Sequence, residues 1–338
     1  MPQTTTAATG TWTEEEIRQQ PASWIRSLNN IDSLRSSIDS FLTPLLRKHD
    51  LRIVLTGAGT SAFIGDIIAP WLASHTGKTI SAVPTTDLVT NPMDYFSPAH
   101  PLLLVSFARS GNSPESVAAV ELANQFVPEC YHLSITCNEA GSLYQTAVDS
   151  DNAYALLMPA ETHDRGFAMT SSITTMMASC LAVFAPETIN SHTFRDVADR
   201  CQAILTSLGD FSHGVFGSEP WKRIVYLGSG GLQGAARESA LKVLELTAGK
   251  LAAFYDSPTG FRHRSRWSTA KRWWWCLSPA LRIRVSTIWI CWLSYAAIAR
   301  LCASSPSPLK TIRSLKRVRT FCCHLHVRLS IWNRRSAS

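Results

Sequence analysis

The sequence predicts an α/β protein built on a doubly wound parallel sheet flanked by helices. Apolar runs of strand length alternate with segments of helical period, and the strands end in loops rich in glycine and serine. The segment LRIVLTGAG (51–59) also returns as RIVYLGSGG (223–231), about 170 residues further on. Strand and helix in alternation imply parallel strands joined by helical crossovers, with ligand loops at the strand C-termini. A repeat at this spacing predicts tandem domains of one architecture.

Thr13 followed by Glu16 has the spacing of a capping box, and the segment after it reads as helices interrupted at Pro21. Residues 1–45 are therefore expected to form an N-terminal helical arm. The first domain, 46–207, opens on LRIVLTGAG, a strand ending in glycines, and SAFIGDIIAPWLASHTG after it is helical. PLLLVSFAR (101–109) is a second strand, SGNSPESVAAVELANQF its loop and helix, and YHLSIT (131–136) a third strand. A helical stretch around 170–207 follows. RIVYLGSGG and the helix GAARESALKVLELTAG then begin a second domain over 208–263, which ordinary sequence leaves incomplete.

Composition changes abruptly after His263. Residues 264–338 hold twelve Arg and three Lys but no Asp, Glu or Gly, so the tail carries +15 and the preceding 263 residues −8. Usual composition would give such a stretch roughly nine acidic residues. The tail also holds seven of the eleven Trp and five of the nine Cys. The overall basicity therefore says little about function.

The N-terminus lacks the basic start and apolar core of a signal peptide, and the first 263 residues contain no membrane-length apolar run, which predicts a cytoplasmic protein. Cys130, Cys137, Cys180 and Cys201 have no close paired spacing and fit reduced thiols.

GAGTSAFIG (57–65) is neither a dinucleotide fingerprint nor a nucleotide-binding P-loop. It does supply Thr60 and Ser61 at a helix start. SFARSGNSPES adds Arg109, Ser110, Gly111, Ser113 and Ser116 where another helix begins. N–H groups at helix starts together with hydroxyls form an anion cradle suited to a phosphate monoester, without metal. Ser and Thr are also favoured there as simple caps. His163 and Asp164 lack further ligands, so no metal site is assigned.

These motifs resemble the SIS (sugar isomerase) family: strand-GxGTS and strand-x-x-RSGNS-helix look like its two phosphate-binding elements. GTWTEEEI, LTGAGTSAFIGDIIAPWL, TTDLVTNP, RSGNSPESVAAVELA and ARESALKVLELTAGK are similar to the tagatose-6-phosphate ketose/aldose isomerase group, understood as galactosamine-6-phosphate deaminases. By resemblance to glucosamine-6-phosphate synthases, RESALKVLE carries the carboxylate that moves a proton between C1 and C2, at Glu238. FRH carries the ring-opening histidine, His263, and GFAMTSSITT lines the sugar pocket through Thr170, Ser171 and Ser172. Ala108 departs from the pattern, standing where that relative has a hydroxyl. The resemblance implies a small sugar phosphate as substrate, no cofactor, and homo-oligomeric relatives with sites at subunit interfaces.

Family members continue after this histidine with a segment like Gly-Pro-Lys-Ser-Leu, which the tail does not. Trp has the single codon TGG, so Trp273 to Cys276 fix their bases, and shifting the frame by one base turns them into an apolar residue followed by three valines. Leu277 and Ser278 then allow Phe-Val-Ser. The tail thus reads as out-of-frame translation, which removes its Trp-interleaved basic residues as a nucleic-acid surface and its WICWLSYAAIARLC run as a membrane helix. Cys322, Cys323, His324 and His326 are discounted as a metal cluster on the same ground. Three functions compete: a deaminase converting D-galactosamine 6-phosphate to D-tagatose 6-phosphate and ammonia, or a ketose/aldose isomerase without deamination; a sugar-phosphate-binding regulator, for which the 45-residue arm lacks the length of a DNA-binding domain; and an inactive frameshifted product.

Overall fold

The structure is a computed structural model that describes residues 12–207 and 223–261, together with the backbone of 272–277 and 319–322. Two helices open it, α1 (Trp12–Ser33) and α2 (Arg35–Arg47). The first α/β unit follows in chain order as β1 (Arg52–Gly57), α3 (Thr60–Thr76), β2 (Thr79–Ala82), α4 (Thr85–Thr90), α5 (Pro92–Tyr95), β3 (Leu102–Ala108), α6 (Pro114–Phe126), β4 (Cys130–Thr136), α7 (Ser142–Val148) and β5 (Ala153–Leu157). Helices α8 (Ser171–Phe184) and α9 (Arg195–Ser207) close it. The chain resumes with β6 (Arg223–Gly228), α10 (Gly231–Leu246), β7 (Ala252–Asp256), α11 (Pro258–Phe261), β8 (Arg272–Leu277) and β9 (Arg319–Cys322).

The first sheet has the order β2-β1-β3-β4-β5 with every pairing parallel. In such a sheet the crevice for ligands opens at the C-terminal ends of β1 and β3, where the winding reverses. The register sets Gly57 beside Phe107, so the loops after these two strands are neighbours. The second sheet, β7-β6-β8-β9, is also parallel and places its opening strand between the same relative neighbours. Its last two strands come from the stretch expected to be foreign, so the second sheet extends past His263 in the backbone.

Helix α1 runs unbroken through Pro21, contrary to the expected interruption. Proline removes the donor that would pair with the Ile17 carbonyl. The side-chain amide of Gln20 supplies it instead, at 3.0 Å, so the helix continues with that acceptor satisfied. The capping box is not formed either, because Thr13 lies inside the helix and Glu16 binds a distant segment. Trp24 anchors α1 against α8: it is fully buried, donates its indole N–H to Thr174 at 2.9 Å and meets Phe194 edge-on. The helical stretch expected over 170–207 divides into α8 and α9, separated at Pro186.

One core runs beneath both sheets, joining Ile53, Leu55, Val105 and Ile135 to Ile224, Tyr226 and Ala235. Helix α3 is apolar on nearly every side because it lies between the first sheet and α10. Cys130, Cys137, Cys180 and Cys201 are buried free thiols whose ionisation burial disfavours. Such thiols are unreactive.

Candidate active site

The strand-to-helix turn after β1 depends on two glycines. A Cβ on Gly57 would lie 2.7 Å from the Cβ of Ser61, and Gly59 has φ +54°. The helix therefore starts directly above the strand end, with Thr60 and Ser61 buried at the switch point. The second unit repeats this turn: Gly228 underlies Leu232 and Gly230 has φ +59°.

The loop after β3 is held from the side by the loop after β4. Asn138 donates to the Ser110 carbonyl at 2.7 Å, Leu143 N–H donates to the Gly111 carbonyl at 3.1 Å, and Asn112 accepts from the backbone and hydroxyl of Ser142. Gly111 has φ +69° and packs against Gly141, leaving no room for a larger residue to settle without strain. Ser110 is left exposed and Ser113 stands at the N-cap position of α6, its hydroxyl donating to the hydroxyl of Ser116 at 2.7 Å and not to the helix backbone. Arg109 donates one bond, from Nη1 to the Gly166 carbonyl at 3.2 Å. Among the described residues its other N–H groups make no hydrogen bond, so the fork remains able to take an anion.

Thr170, Ser171 and Ser172 are buried at the start of α8, and all three hydroxyls donate to the carboxylate of Asp164. Their backbone N–H groups donate to the same two oxygens at 2.7, 3.2 and 3.0 Å. Asp164 is thus the anion at this helix N-terminus, where the sequence suggested sugar-facing hydroxyls. His163 beside it is exposed. Among the described residues no cluster of three or more His, Cys, Asp or Glu is arranged to hold a metal, and no helix is long and apolar enough to cross a membrane.

Glu238 lies on α10, completely buried, and the structure brings it to the Thr60 end of α3 although the two residues belong to different α/β units. Glycines permit this approach: a Cβ on Gly231 would meet the Ile67 carbonyl at 2.2 Å, and one on Gly234 would lie 2.8 Å from the Cβ of Asp66. Arg237 locks the contact with an ion pair to Asp66 at 3.2 Å and lies over the ring of Phe63. Neither carboxyl oxygen of Glu238 completes a hydrogen bond, and the Lys242 ammonium stands 3.4 Å away. Burial is the dominant influence and raises its pKa to about 8, against the lowering effect of Lys242 and Thr60. Lys242 also bonds Glu245, whose side chain is 27% exposed. The Asp66–Arg237 pair and the Lys242–Glu245 pair were not singled out from sequence, where helix charges read as solvated. His263 falls outside the described residues.

A 2-1-3-4-5 parallel sheet with hydroxyl-rich turns at its switch point defines a doubly wound α/β protein whose ligand crevice opens at that point. The SIS domain family matches residues 45–186, and the chain belongs to this family. It is 88% identical over 257 residues to the D-galactosamine-6-phosphate deaminase AgaS of Escherichia coli, a match covering 76% of this chain and 67% of that protein. The corresponding protein of Shewanella sp. is 47% identical over 256 residues, covering 75% and 65%. The crystal structure of tagatose-6-phosphate ketose/aldose isomerase from Escherichia coli superposes with a TM-score of 0.77 at 85% identity, covering 79% of this chain and 73% of that one. The chain spans about two thirds of the length of the curated relatives it matches.

Proposed function

We propose that the chain belongs to a cytoplasmic enzyme that converts D-galactosamine 6-phosphate to D-tagatose 6-phosphate and ammonia. The observation that carries this reading is Glu238, a buried carboxyl group tuned to about 8 and set beside Thr60 of the phosphate turn. Thr60, Ser61, Arg109, Ser110, Gly111 and Ser113 hold the phosphate. His263 opens the ring by moving the anomeric proton to the ring oxygen. Glu238 then takes the C2 proton to give an enolamine and returns a proton to C1. Water hydrolyses the resulting C2 imine, releasing ammonia and leaving the ketose. A base whose pKa lies near the working pH can both take and return the proton. Thr170, Ser171 and Ser172 support the site through Asp164.

One observation favours a second assignment of the proton carrier. Glu245 is on the same face of α10, bonded to the same lysine, and is partly open to solvent where Glu238 is not. Glu238→Gln and Glu245→Gln decide between them: the carrier loses 10²–10⁴-fold in kcat, roughly the worth of a general base, and the other loses far less.

The domain reading is a helical arm (1–45), a first SIS domain (46–207), the opening of a second (208–263) and an out-of-frame tail (264–338). The repeated turn and a matched length of 257 residues support it. A full-length enzyme would assemble as a homo-oligomer. Ammonia release is to be measured for the chain as it stands and for one whose frame is restored after His263. Release by the restored chain is expected. Interconversion of tagatose 6-phosphate and galactose 6-phosphate without ammonia would instead establish the plain isomerase, and neither reaction would refute the enzymatic reading.

A further inference from the structure

The phosphate turns take their shape from their own α/β unit, with one exception. Arg109 is held by the segment His163–Met169, which is neither strand nor regular helix and runs from the end of a short 3-10 turn to α8. That segment has two fixed points. One is Asp164, bound to the start of α8. The other is Glu16 of α1, whose Oε1 accepts the N–H groups of Arg165 at 2.5 Å and Gly166 at 2.9 Å.

We propose that Glu16 is a positioning residue for the substrate phosphate: by gripping Gly166 from one side it presents the Gly166 carbonyl that aims Arg109 at the phosphate-binding turn. The proposal rests on the reading that the 109–113 turn holds the phosphate.

Three features support a dedicated contact. Glu16 is buried, at 6% exposure, and burying a carboxylate is costly without bonded partners. Gly166 is matched to it, since a Cβ there would stand 2.7 Å from both Glu16 Oε2 and Thr13 Oγ1. Arg165 stacks its guanidinium over Trp12 at 4.9 Å, so the same arm grips both residues whose N–H groups Glu16 accepts. The chain Glu16–Gly166–Arg109 therefore carries the position of the N-terminal arm into the phosphate turn. A mobile Arg109 would lose the preorganisation that makes a forked contact strong.

Electrostatics predicts the opposite sign, which makes the test sharp. A nearby carboxylate repels phosphate, so if Glu16 acted through charge alone its removal would tighten binding. Positioning predicts that removal weakens it.

The experiment is calorimetric titration of the full chain with tagatose 6-phosphate and with inorganic phosphate, with ammonia release from galactosamine 6-phosphate measured in parallel. Glu16→Ala is expected to weaken both anions about tenfold, the worth of one well-placed charged hydrogen bond. Glu16→Gln keeps an oxygen for the two N–H groups, folds as the parent does, and should stay within about threefold. In an Arg109→Ala background, Glu16→Ala should cost nothing further, because both act through one contact. Unchanged or tighter binding in Glu16→Ala overturns the proposal, as do additive losses in the double variant. A parent chain that binds neither anion overturns it together with the phosphate reading, whereas binding without ammonia release overturns only the deaminase reading.

Discussion

The raised pKa of Glu238 bears on stability and, through the proposed role of that residue, on activity. Its carboxyl group titrates at about 8 in the folded chain, against 4.5 for an exposed glutamate, and burial is the principal cause. The folded state therefore holds more protons than the unfolded chain between these values, and stability falls as pH rises through that window. Above about 8 the loss is complete and stability levels off. Thermal unfolding followed from about pH 5 to about pH 9 should show a declining Tm for the parent and a flatter profile for Glu238→Gln, with the variant more stable at the alkaline end. Parallel profiles would mean that the carboxyl group is not desolvated as described. Activity runs the other way: if Glu238 is the base, kcat/KM should rise towards pH 8 as the group ionises. The two strand-to-helix turns after β1 and β3 were legible from sequence because each is an apolar run that ends in glycine and hydroxyl residues. Thr170, Ser171 and Ser172 were ambiguous, since helix capping and sugar binding call for the same residue types. What distinguishes them is Asp164, which takes all three hydroxyls. Glu16 was hidden for a different reason: its partners are 149 and 150 residues away, beyond the reach of any local pattern.

At the scale of elements, the pairing of α3 with α10 decides whether the two halves of the site meet. Gly231 and Gly234 let α10 approach the backbone of Asp66 and Ile67. Gly234→Ala would force a Cβ to within 2.8 Å of the Cβ of Asp66 and 2.9 Å of the Ile67 nitrogen. Neither neighbour is a flexible side-chain end, so the helices must separate. The expected cost is about 1–3 kcal/mol by denaturant unfolding, with a fall in kcat as Glu238 withdraws from Thr60. Gly77→Ala is the control, because nothing lies within 4 Å of its Cβ position and only its φ of +68° opposes the change. It should cost about 1–2 kcal/mol with activity retained. Equal loss of activity in both variants would show that the helix contact has no special bearing on the site. The central strands β1, β3 and β6 were readable from sequence because a strand covered on both faces is a largely continuous apolar run, and β4 (CYHLSIT) because it follows the helix of the strand-helix alternation. The edge strands β2 and β5 of the first sheet, and β7 of the second, were not. TISA and AYALL are short and only partly buried, so they carry little pattern. Pro21 was read as a break because its rescue by Gln20 is a side-chain event.

The whole molecule pairs two parallel sheets across α3 and α10, and the second sheet is where composition and architecture disagree. Its order, β7-β6-β8-β9, repeats the placing of strands in the first sheet, which argues for duplication. Yet β8, which lies between β6 and β9, has the sequence RWWWCL, whereas interior parallel strands are built from Val, Ile and Leu. The surrounding residues 264–338 contribute +15 with no acidic partner in their own sequence. If the tail is out of frame, reading its codons one base earlier would put a Val-rich strand at the position of β8. The consequence can be tested on stability without any substrate. A chain whose frame is restored after His263 should unfold in one cooperative transition at a higher temperature than the chain as it stands, since a central strand of suitable volume closes the second core. It should also show smaller binding of a hydrophobic dye, because the face of the second sheet would then be covered. If the two chains unfold alike and bind the dye alike, the Trp-rich strand packs as well as its Val-rich counterpart. The tail would then have to be accepted as a working part of the second domain.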